Sequence, residues 1–596
     1  MNQHILRRPH GTKEALNSAF FQRARRALVL CTLAGLASGC GAGRNQPITY
    51  SVGGTISGLT ASGLILANDS ETVSPPPNAT LFVFPSRLAP GKSYTVMIQS
   101  QPSGETCTVS SASGTVNSVN VNSVAVNCVE TYSVGGSISG LTASGLILAN
   151  GSDTVSLTPN ATAFTFSARL ASGQAYSVTV QSQPIPETCT ITAGAGTAGS
   201  ANITSIAVSC VTEHVIYSFA APADGALPVA GLIQGTDGTF YGATPYGGTS
   251  QHGTVFTVTQ AGDERVLYSF TGASGDGARP VASLIQGSDG NIYGTTSSGG
   301  ASSPTCPISA GCGTVFRIAP SGAETVLHSF AGAGNDGASP VASLIQGSDG
   351  NFYGTTSSGG ASSPTCPISG GCGTVFRIAP SGAETVLHSF AGAGNDGASP
   401  VASLIQGSDG NFYGTTSIGG AVSSSFPEGC GTVFRITPAG VETLLYSFKC
   451  SGGDGVDPLA GLIQGGDGNF YGTTNLGGAS GEGTVFKITP AGSETVLYSF
   501  NGGACEDDIN PGVSLIQGND GNLYGTTSGN ANSCSQGTVF KITPAGVETE
   551  IYSFKGDISL GANPRARLLQ GSDGSLYGTT EYGGAGQNGT VFMISL

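Results

Sequence analysis

The chain has 596 residues, too many for one hydrophobic core, so we expect several domains. Charged residues make up only 10% and the formal net charge is −15, which disfavours nucleic acid as a partner because the phosphate backbone is also negative. With 38% hydrophobic residues the chain is globular rather than disordered. No apolar run approaches the roughly 20 residues that a membrane-spanning helix needs.

Residues 1–39 have the layout of a signal peptide, because six basic residues precede a short apolar stretch over residues 27–37. The stretch ends in Leu36-Ala37-Ser38-Gly39-Cys40, which resembles the bacterial lipobox, where the cysteine carries lipid. We expect lipidation of Cys40, a tether over residues 40–49 and a place in the cell envelope as an outer-membrane lipoprotein, periplasmic or surface-exposed. Secretion without an anchor is the alternative.

Two similar modules follow, over residues 50–130 and 131–212. The motif Y-S-V-G-G at Tyr50 returns 82 residues later at Tyr132, without a gap between the copies. Alternating runs such as residues 93–99 and 204–208 predict half-buried strands between turns. Each module has the size of an immunoglobulin-like β-sandwich, and the pair resembles the Ig-like modules that bacteria place between an anchor and a functional head.

The cysteines predict disulfides. Of the fourteen, Cys31 leaves with the signal and Cys40 carries lipid, so twelve remain, an even number in an exported chain. No C-x-x-C motif occurs, which makes a zinc site the weaker interpretation. Their spacing predicts the pairs Cys107–Cys128, Cys189–Cys210, Cys306–Cys312, Cys366–Cys372, Cys430–Cys450 and Cys505–Cys534.

Residues 213–596 repeat three phrases seven times, at a period of 52 to 60 residues. A period of this length made of short β-type runs predicts a β-propeller with four strands per blade. For the third blade we expect strands over residues 339–346, 351–356, 373–378 and 384–390. The phrases resemble L-I-Q-G-x-D-G-x-x-Y-G-T-T, G-T-V-F and Y-S-F, and the first phrase begins at Leu232, Leu284, Leu344, Leu404, Leu462, Leu515 and Leu568.

The order of the phrases predicts how the propeller closes. The array opens with an isolated Y-S-F at Tyr217 and ends on G-T-V-F-M-I-S-L at Leu596, with no Y-S-F after it. Seven complete blades require the first strand to join the last blade. We therefore expect an all-β protein, namely a seven-bladed propeller with strand-exchange closure preceded by two tandem β-sandwich modules.

The repeat also resembles a known family. Q-G-S-D-G-N-F-Y-G-T-T, G-T-V-F-R-I and E-T-V-L-H-S-F are similar to the bacterial Gloeobacter/Verrucomicrobia repeat (GloVer repeat), and the resemblance covers residues 213–596. The resemblance implies an exported, anchored propeller. It implies no reaction, because no catalytic residues are defined for the family.

Three sets of polar residues recur once per blade. We interpret the D-G aspartates first as turn residues of a two-residue hairpin; a ring of cation ligands is the alternative. The Gln of L-I-Q-G is expected to bond between blades, with a sugar-binding channel as the alternative. The third set stands four residues before a proline in six blades, with Leu560 at the seventh position, and solvated turns are its first interpretation. The second interpretation is a possible ligand face for a cation or a basic partner, which comprises Asp224, Asp276, Asp336, Asp396, Asp454 and Asp507.

The sequence offers no catalytic set, because no H-E-x-x-H motif occurs and no nucleophile stands near a base. Residues 297–356 and 357–416 differ only at Ala310 and Gly370, and a blade copied in this way has not become a specialised site. We expect a lipid-anchored, non-catalytic binding or scaffold protein, monomeric and without cofactor or metal, whose ligand is a glycan or a protein. The alternatives are a carbohydrate-active hydrolase or lyase and a purely structural envelope protein.

Overall fold

The computed structural model describes residues 47–184, 187–220, 222–273, 275–304, 306, 310–332, 336–392, 396–501, 510–529, 536–554 and 560–596. These residues form an all-β protein of 50 strands, and no α-helix occurs among them. None of the described segments is therefore a helix with the length and apolarity needed to cross a membrane. The predicted signal peptide and Cys40 lie outside the described residues.

The described chain divides into two compact units. The first runs to residue 103 and includes residues 107–128, and the second comprises residues 104–106 and 129–596. The strands up to residue 139 are β1 (Tyr50–Ser57), β2 (Ile65–Asn68), β3 (Glu71–Val73), β4 (Leu81–Leu88), β5 (Ser93–Ser100), β6 (Glu105–Ser110), β7 (Ser113–Thr115) and β8 (Val121–Ser139). The last of them, β8, begins in the first unit and ends in the second.

The first unit is built from two sets of paired strands around one apolar cluster. In one set β1 pairs with β4 and, in parallel, with β8, which also pairs with β6; the other set has the order β3-β2-β5-β7. Leu64, Leu66 and Val124 in the cluster are fully buried because alternate side chains of each strand point to one face.

The second unit begins with a module of the same pattern. Its strands are β9 (Ile147–Asn150), β10 (Asp153–Ser156), β11 (Ala163–Ala171), β12 (Ala175–Ser182), β13 (Glu187–Thr192), β14 (Ala195–Thr197) and β15 (Ile203–Ser218). One set joins β11, β8, β15 and β13, and the other has the order β10-β9-β12-β14. Both sets enclose an apolar cluster that includes Leu146, Leu148 and Ile206.

The remaining strands follow the repeat. They are β16 (Ile233–Gln234), β17 (Phe240–Thr244), β18 (Thr254–Val258), β19 (Glu264–Ser269), β20 (Gly277–Ala278), β21 (Ile285–Gln286), β22 (Ile292–Thr296), β23 (Ser298–Gly299), β24 (Thr314–Ile318), β25 (Glu324–Ser329), β26 (Gly337–Ala338), β27 (Ile345–Gln346), β28 (Phe352–Thr356), β29 (Ser358–Gly359), β30 (Thr374–Ile378), β31 (Glu384–Ser389), β32 (Gly397–Ala398), β33 (Ile405–Gln406), β34 (Phe412–Thr416), β35 (Ile418–Gly419), β36 (Thr432–Ile436), β37 (Glu442–Ser447), β38 (Gly455–Val456), β39 (Ile463–Gln464), β40 (Phe470–Thr474), β41 (Leu476–Gly477), β42 (Thr484–Ile488), β43 (Glu494–Ser499), β44 (Ile516–Gln517), β45 (Leu523–Ser528), β46 (Gly537–Ile542), β47 (Glu548–Ser553), β48 (Leu569–Gln570), β49 (Leu576–Thr580) and β50 (Thr590–Ile594).

These strands form seven antiparallel sets of four, which we number as sheets. In each sheet the short first strand is the inner strand and the fourth is the outer strand. Sheet 1 comprises β16–β19, sheet 2 β21, β22, β24 and β25, sheet 3 β27, β28, β30 and β31, sheet 4 β33, β34, β36 and β37, sheet 5 β39, β40, β42 and β43, sheet 6 β44–β47, and sheet 7 β48–β50 with the second half of β15.

Sheet 7 contains strands from both ends of the repeat. Glu213 of β15 lies opposite Ile594 of β50, and Ser218 lies opposite Thr590. The Y-S-F strand that opens the array therefore pairs with the G-T-V-F strand that closes it, as the order of the phrases predicted. Phe219 follows β15 and is fully buried against Phe256 of sheet 1.

The inner strands are shorter than predicted. In sheet 3 we expected a strand over residues 339–346, but the pairing covers only Ile345–Gln346. Ser339 has a φ of 55°, which no strand residue adopts, and Pro340 has no N–H to donate to a ladder. Only the last two residues before the Asp349-Gly350 turn are therefore paired, and Gly350 takes the positive φ (82°) that this turn requires.

The glutamines of the inner strands hydrogen-bond to the sheet before them. Gln406 Oε1 accepts from Ser348 N at 3.0 Å, while its Nε2 donates to Gly410 O at 3.1 Å. The same acceptor bond recurs at all seven positions, including Gln234, which accepts from Ser572 N of sheet 7 at 3.4 Å. These bonds agree with the structural interpretation of the glutamines, and they connect sheet 7 to sheet 1.

Aromatic rings fill the contacts between consecutive sheets. Tyr293 of sheet 2 lies over Phe352 of sheet 3, with ring centroids 4.1 Å apart, and Tyr577 of sheet 7 lies over Phe240 of sheet 1 at 4.4 Å. Tyr293 and Tyr577 are almost fully buried. Each sheet is thus apolar on both faces, which explains the low content of charge.

Candidate functional site

The inner segments of the seven sheets line a common cavity. One part of it, of about 250 Å³, is bordered by the leucines and isoleucines of the L-I-Q-G phrases, and an adjoining part, of about 120 Å³, by the residues just before them. All seven sheets contribute to the second part. A concave site shared by every repeat is the usual place for a ligand in such an array.

One residue position of the repeat borders both parts of the cavity, and it is occupied by a small side chain six times out of seven. Its residues are Gly231, Ser283, Ser343, Ser403, Gly461, Ser514 and Arg567, which we call the lumen position. Three of the serine hydroxyls accept backbone N–H groups of the preceding sheet, for example Ser283 Oγ from Gly231 N at 2.8 Å. Each such hydroxyl keeps its own proton as a donor.

Arg567 is the exception at the lumen position. Its side chain is exposed to the cavity, yet the surrounding protein desolvates it and lowers the pKa of the guanidinium. An arginine still remains charged, since its ordinary pKa lies far above neutrality. Among the described residues, the Arg567 guanidinium has no hydrogen-bond or ion-pair partner.

The neighbours of Arg567 leave room for it. A Cβ at Gly231 would lie 2.8 Å from the Arg567 carbonyl oxygen and 3.2 Å from its Cβ, so only glycine fits beside this residue.

Arg565, two residues earlier, borders the cavity as well, but its Nε lies 3.3 Å from Glu581 Oε2. A further cavity of about 340 Å³ adjoins Arg565 and includes Asn475 and Asn510. The site thus combines one unpaired cation with uncharged hydrogen-bonding groups.

The aspartates of the predicted ligand face are engaged inside the protein. Asp454 Oδ2 accepts from Lys449 N at 2.9 Å and from the Tyr446 hydroxyl at 2.7 Å, and Oδ1 accepts from Gly455 N at 2.8 Å. Asp224, Asp276, Asp336 and Asp396 also accept backbone N–H bonds in the connections that follow the outer strands. They are turn acceptors rather than solvated residues, and Asp507 lies outside the described residues.

Each of these aspartates also faces a glutamate of the next sheet. We call the resulting group a junction cluster: the tyrosine or histidine of an outer strand, the aspartate after it, and the first glutamate of the next outer strand. Burial raises the pKa of that glutamate to about 7, and the neighbouring aspartate raises it as well; the residues are Glu264, Glu324, Glu384, Glu442 and Glu494.

The junction between sheets 6 and 7 departs from this pattern. Leu560 stands where the other connections have aspartate, and the Tyr552 hydroxyl donates directly to Glu213 Oε2 at 2.8 Å. Glu213 is buried and begins the part of β15 that completes sheet 7.

The D-G aspartates act within their own turns. Asp349 Oδ1 accepts from Asn351 N at 3.1 Å, and Oδ2 accepts from the Tyr353 hydroxyl at 2.8 Å. Hydrogen bonds from Asn351 and Tyr353 outweigh desolvation and lower the pKa of Asp349. The carboxylates hold the hairpin and the aromatic ring beneath it, in agreement with turn chemistry.

The described residues contain five disulfides, and each joins two cysteines that the spacing had paired: Cys107–Cys128, Cys189–Cys210, Cys306–Cys312, Cys366–Cys372 and Cys430–Cys450. The predicted pair Cys505–Cys534 lies outside the described residues. Disulfides of this number are typical of oxidising compartments.

Sequence reasoning passed over two features of the site. Arg567 is visible when the seven repeats are written under one another, because it alone breaks a column of serine and glycine. The second feature is the pair His328 and His388, which replace the tyrosine of Y-S-F and lie in junction clusters. The signal for the clusters is faint, since the glutamate belongs to the next repeat.

Solved structures resemble the chain only weakly. No curated protein matches it in sequence. Among solved structures, a fungal alcohol oxidase is 14% identical, with a TM-score of 0.38, over 63% of this chain and 74% of the oxidase. A 6-phosphogluconolactonase-like protein of Bacteroides uniformis is 14% identical, with a TM-score of 0.35, over 55% of this chain and 85% of that one. These values are too low to transfer an activity.

A family model does match. The model of the Gloeobacter/Verrucomicrobia repeat fits residues 126–306, 187–425, 306–528 and 418–596, so the matches begin before the second module and run through the whole repeat. Together with the disulfides, this bacterial family indicates an extracytoplasmic bacterial protein. The chain belongs to the Gloeobacter/Verrucomicrobia repeat family.

Proposed function

We propose that this chain is an exported, lipid-anchored binding or scaffold protein of the bacterial envelope without catalytic activity. In this proposal the seven sheets form a closed seven-bladed β-propeller, and two β-sandwich modules separate it from lipidated Cys40. The observation that carries the binding function is Arg567, an unpaired cation in a cavity bordered by all seven sheets. Its ligand is an acidic group of a glycan or a protein.

The contacts between sheets 7 and 1 support the closed ring. Gln234 accepts a hydrogen bond across this junction and Tyr577 packs across it, as the corresponding residues do at the other junctions. Thr579 Oγ1 also donates to Ala230 O at 3.2 Å, the same bond that Thr355 makes to Ala402 O. A ring in which the last junction repeats the bonds of the others has seven equivalent contacts between sheets, as a closed propeller requires. The paired four-stranded sets around single apolar clusters support the sandwich modules.

The composition of the cavity favours binding over catalysis. The residues that border its two parts in the described structure are aliphatic residues, serines, glycines and arginines, without a carboxylate or histidine to act as acid or base. The carboxylate pairs in the junction clusters recur at several junctions alike, which is the behaviour of a structural element. A glycosidase mechanism would need one such pair in the cavity.

An acidic ligand fits the electrostatics. The chain as a whole is negative, so an anion is repelled by most of the surface, whereas the unpaired Arg567 guanidinium in the cavity attracts it. Arginine binds carboxylates through two parallel hydrogen bonds, and serine hydroxyls at the lumen position supply further donors. Neutral parts of the ligand would contact the leucines and isoleucines below.

The test compares binding by the unaltered chain with binding by Arg567→Ser, which restores the residue type of the repeat. Probes are uronic-acid and neutral oligosaccharides and acidic and neutral peptides, measured by calorimetry and screened for turnover. We expect binding of acidic probes only, weakened by salt, and at least a tenfold loss (about 1.4 kcal/mol) in Arg567→Ser. Arg265→Ser, at an exposed arginine of sheet 1, is the matched control.

Two results would contradict the proposal. Unchanged binding in Arg567→Ser would remove the cavity from the function, and turnover of any probe would make the chain an enzyme. The anchor has a separate test, because Cys40→Ser should move the protein from the membrane fraction to the soluble fraction of the envelope. Protease treatment of whole cells then distinguishes a periplasmic from a surface-exposed propeller.

A further inference from the structure

Two of the junction clusters contain histidine instead of tyrosine. The first consists of His328, at the outer strand of sheet 2, Asp336 and Glu384 of sheet 3; the second is its copy one repeat later, His388, Asp396 and Glu442. In both, one ligand atom from each side chain lies within 4.8 Å of the other two. The copies arise because residues 297–356 and 357–416 are almost identical.

The tyrosine clusters show what the histidine changes. Tyr217 and Tyr446 donate their hydroxyl protons to Asp224 and Asp454 at 2.6 and 2.7 Å, and the Tyr268 hydroxyl lies 3.3 Å from Asp276 Oδ2. In the histidine clusters the corresponding distances, from Nε2 to the Asp Oδ1, are 3.5 Å at His328 and 3.4 Å at His388. These exceed the usual 2.7–3.2 Å of an N–H···O bond. The imidazole thus stands near the carboxylate without a short direct bond.

The wider spacing suits a bridging ion. Zn²⁺ binds His nitrogen and carboxylate oxygen at about 2.0–2.2 Å, so neighbouring ligand atoms of a tetrahedral site lie roughly 3.3–3.6 Å apart. Both Nε2–Oδ1 distances fall in this range. A neutral imidazole with its proton on Nδ1 offers the Nε2 lone pair to such an ion.

Other contacts hold the ligands in place. Asp336 Oδ2 accepts from Ala331 N at 2.7 Å and Oδ1 accepts from Gly337 N at 2.8 Å, which fixes the carboxylate while leaving an Oδ1 lone pair. The His328 ring packs edge-on against Phe330, with centroids 4.7 Å apart. Glu384 Oε1 is buried and has no hydrogen-bond partner among the described residues, a feature that it shares with Glu264, Glu324 and Glu494 of the tyrosine clusters.

The charges match a divalent cation. When both carboxylates are ionised, they and a neutral imidazole carry two negative charges, which a divalent cation neutralises. Imidazole is a ligand of first-row transition metals, whereas Ca²⁺ and Mg²⁺ prefer oxygen ligands alone. Three protein ligands leave one position of a tetrahedral ion for water.

We propose that the clusters His328–Asp336–Glu384 and His388–Asp396–Glu442 each bind one divalent transition-metal ion, best matched by Zn²⁺. The sites lie at the outer strands, apart from the cavity with Arg567, and they join sheet 2 to sheet 3 and sheet 3 to sheet 4. The metal would connect neighbouring sheets where the tyrosine clusters use a hydrogen bond. This proposal is independent of the binding function.

The experiment is a Zn²⁺ titration of the chelator-treated chain by calorimetry, with bound metal counted by elemental analysis. His328→Tyr and His388→Tyr recreate the tyrosine clusters found in the same chain. We expect each single variant to lose one ion per chain and the double variant to lose two. Zn²⁺ should raise the melting temperature of the unaltered chain, and the double variant should lose this rise. His252→Gln, at an exposed histidine outside both clusters, should lose none.

Glu384→Gln checks the sites without touching a histidine and should also lose one ion. Equal circular dichroism spectra of all metal-free variants establish that they fold. X-ray absorption should show one nitrogen and two carboxylate groups around each ion. The proposal is overturned if the unaltered chain binds no Zn²⁺, or if the double variant binds as many ions as the unaltered chain.

Discussion

Sheets 3 and 7 have the same strand order but are assembled differently. Sheet 3 is formed by one continuous stretch of chain, from Ile345 to Ser389, and nearly the whole repeat recurs in sheet 4. Sheet 7 takes its outer strand from the start of the array. It alone has Arg567 at the lumen position and Leu560 in place of the junction aspartate. The repeat holds the fold together, and its deviations collect in the sheet where the two ends meet.

The strongest test of this comparison removes an aromatic side chain after each outer strand. Phe219 of sheet 7 and Phe390 of sheet 3 are both fully or almost fully buried. Phe219→Ala and Phe390→Ala should each lower the free energy of unfolding by about 3–5 kcal/mol, measured by denaturant titration. Exposed Val441→Ala is the control, and a loss below about 1 kcal/mol for Phe219→Ala alone would show that β15 is not an equal part of sheet 7.

A smaller effect is expected from the glutamines between sheets. Gln406→Ala removes bonds of 3.0 and 3.1 Å and leaves Ser348 N without its acceptor, so it should cost about 1 kcal/mol. Gln234→Ala removes longer bonds, of 3.4 and 3.2 Å, at the junction of sheets 7 and 1 and should cost less. Melting temperatures of the two variants compare the junctions, and the reverse order would contradict the bond lengths.

The junction glutamates predict a pH dependence. Their pKa rises from 4.5 to about 7 in the folded state, so the folded chain holds more protons than the unfolded chain between these values. The stabilisation is complete below about pH 4.5 and is lost as the pH rises through 7, so the melting temperature should fall over this interval.

Glu324→Gln isolates one junction, in which the glutamate faces Asp276 and Tyr268. The variant should reduce the fall in melting temperature between pH 5 and 8, measured by calorimetry. Glu428→Gln, at an exposed glutamate, should leave the fall unchanged. An equal reduction in both variants would assign the effect to overall charge instead of to the junction.

The smallest effect on stability is expected at the residue with the largest effect on binding. Arg567→Ser removes a charge without a partner and should change the free energy of unfolding by less than about 0.5 kcal/mol. Arg565→Ser should cost more, since it removes the cation beside Glu581 and leaves that carboxylate only its hydrogen bond from Asn563. Denaturant titration of the two variants would separate a binding residue from a structural one within the same sheet.

Much of this architecture is predictable from the sequence because it repeats. The phrase order predicts the pairing of β15 with β50, and cysteine spacing predicts the five disulfides among the described residues. The length of the inner strands is not predictable from hydrophobicity, since an apolar run and a paired strand look alike until the φ of Ser339 is known.

The sites are harder to predict, because their residues are far apart in the chain. The junction cluster of Asp336 joins residues of two repeats, and no spacing within one repeat contains it. The sequence places the aspartates in turns and predicts them solvated, whereas backbone N–H groups of the protein bind them. Only Arg567 could have been found beforehand, by comparing the repeats column by column.

The pairing of β15 with β50 also has a consequence for the order of events during folding. Val215 and Phe592 are neighbours in sheet 7, but nearly the whole array separates them in sequence. Contacts of such long range form slowly. While the chain is being made or passes through a membrane channel, sheets 1 to 6 have all their strands available before sheet 7 does. An array delayed at that stage would expose the unpaired edge of β15, so the growing chain needs protection until its final strand arrives.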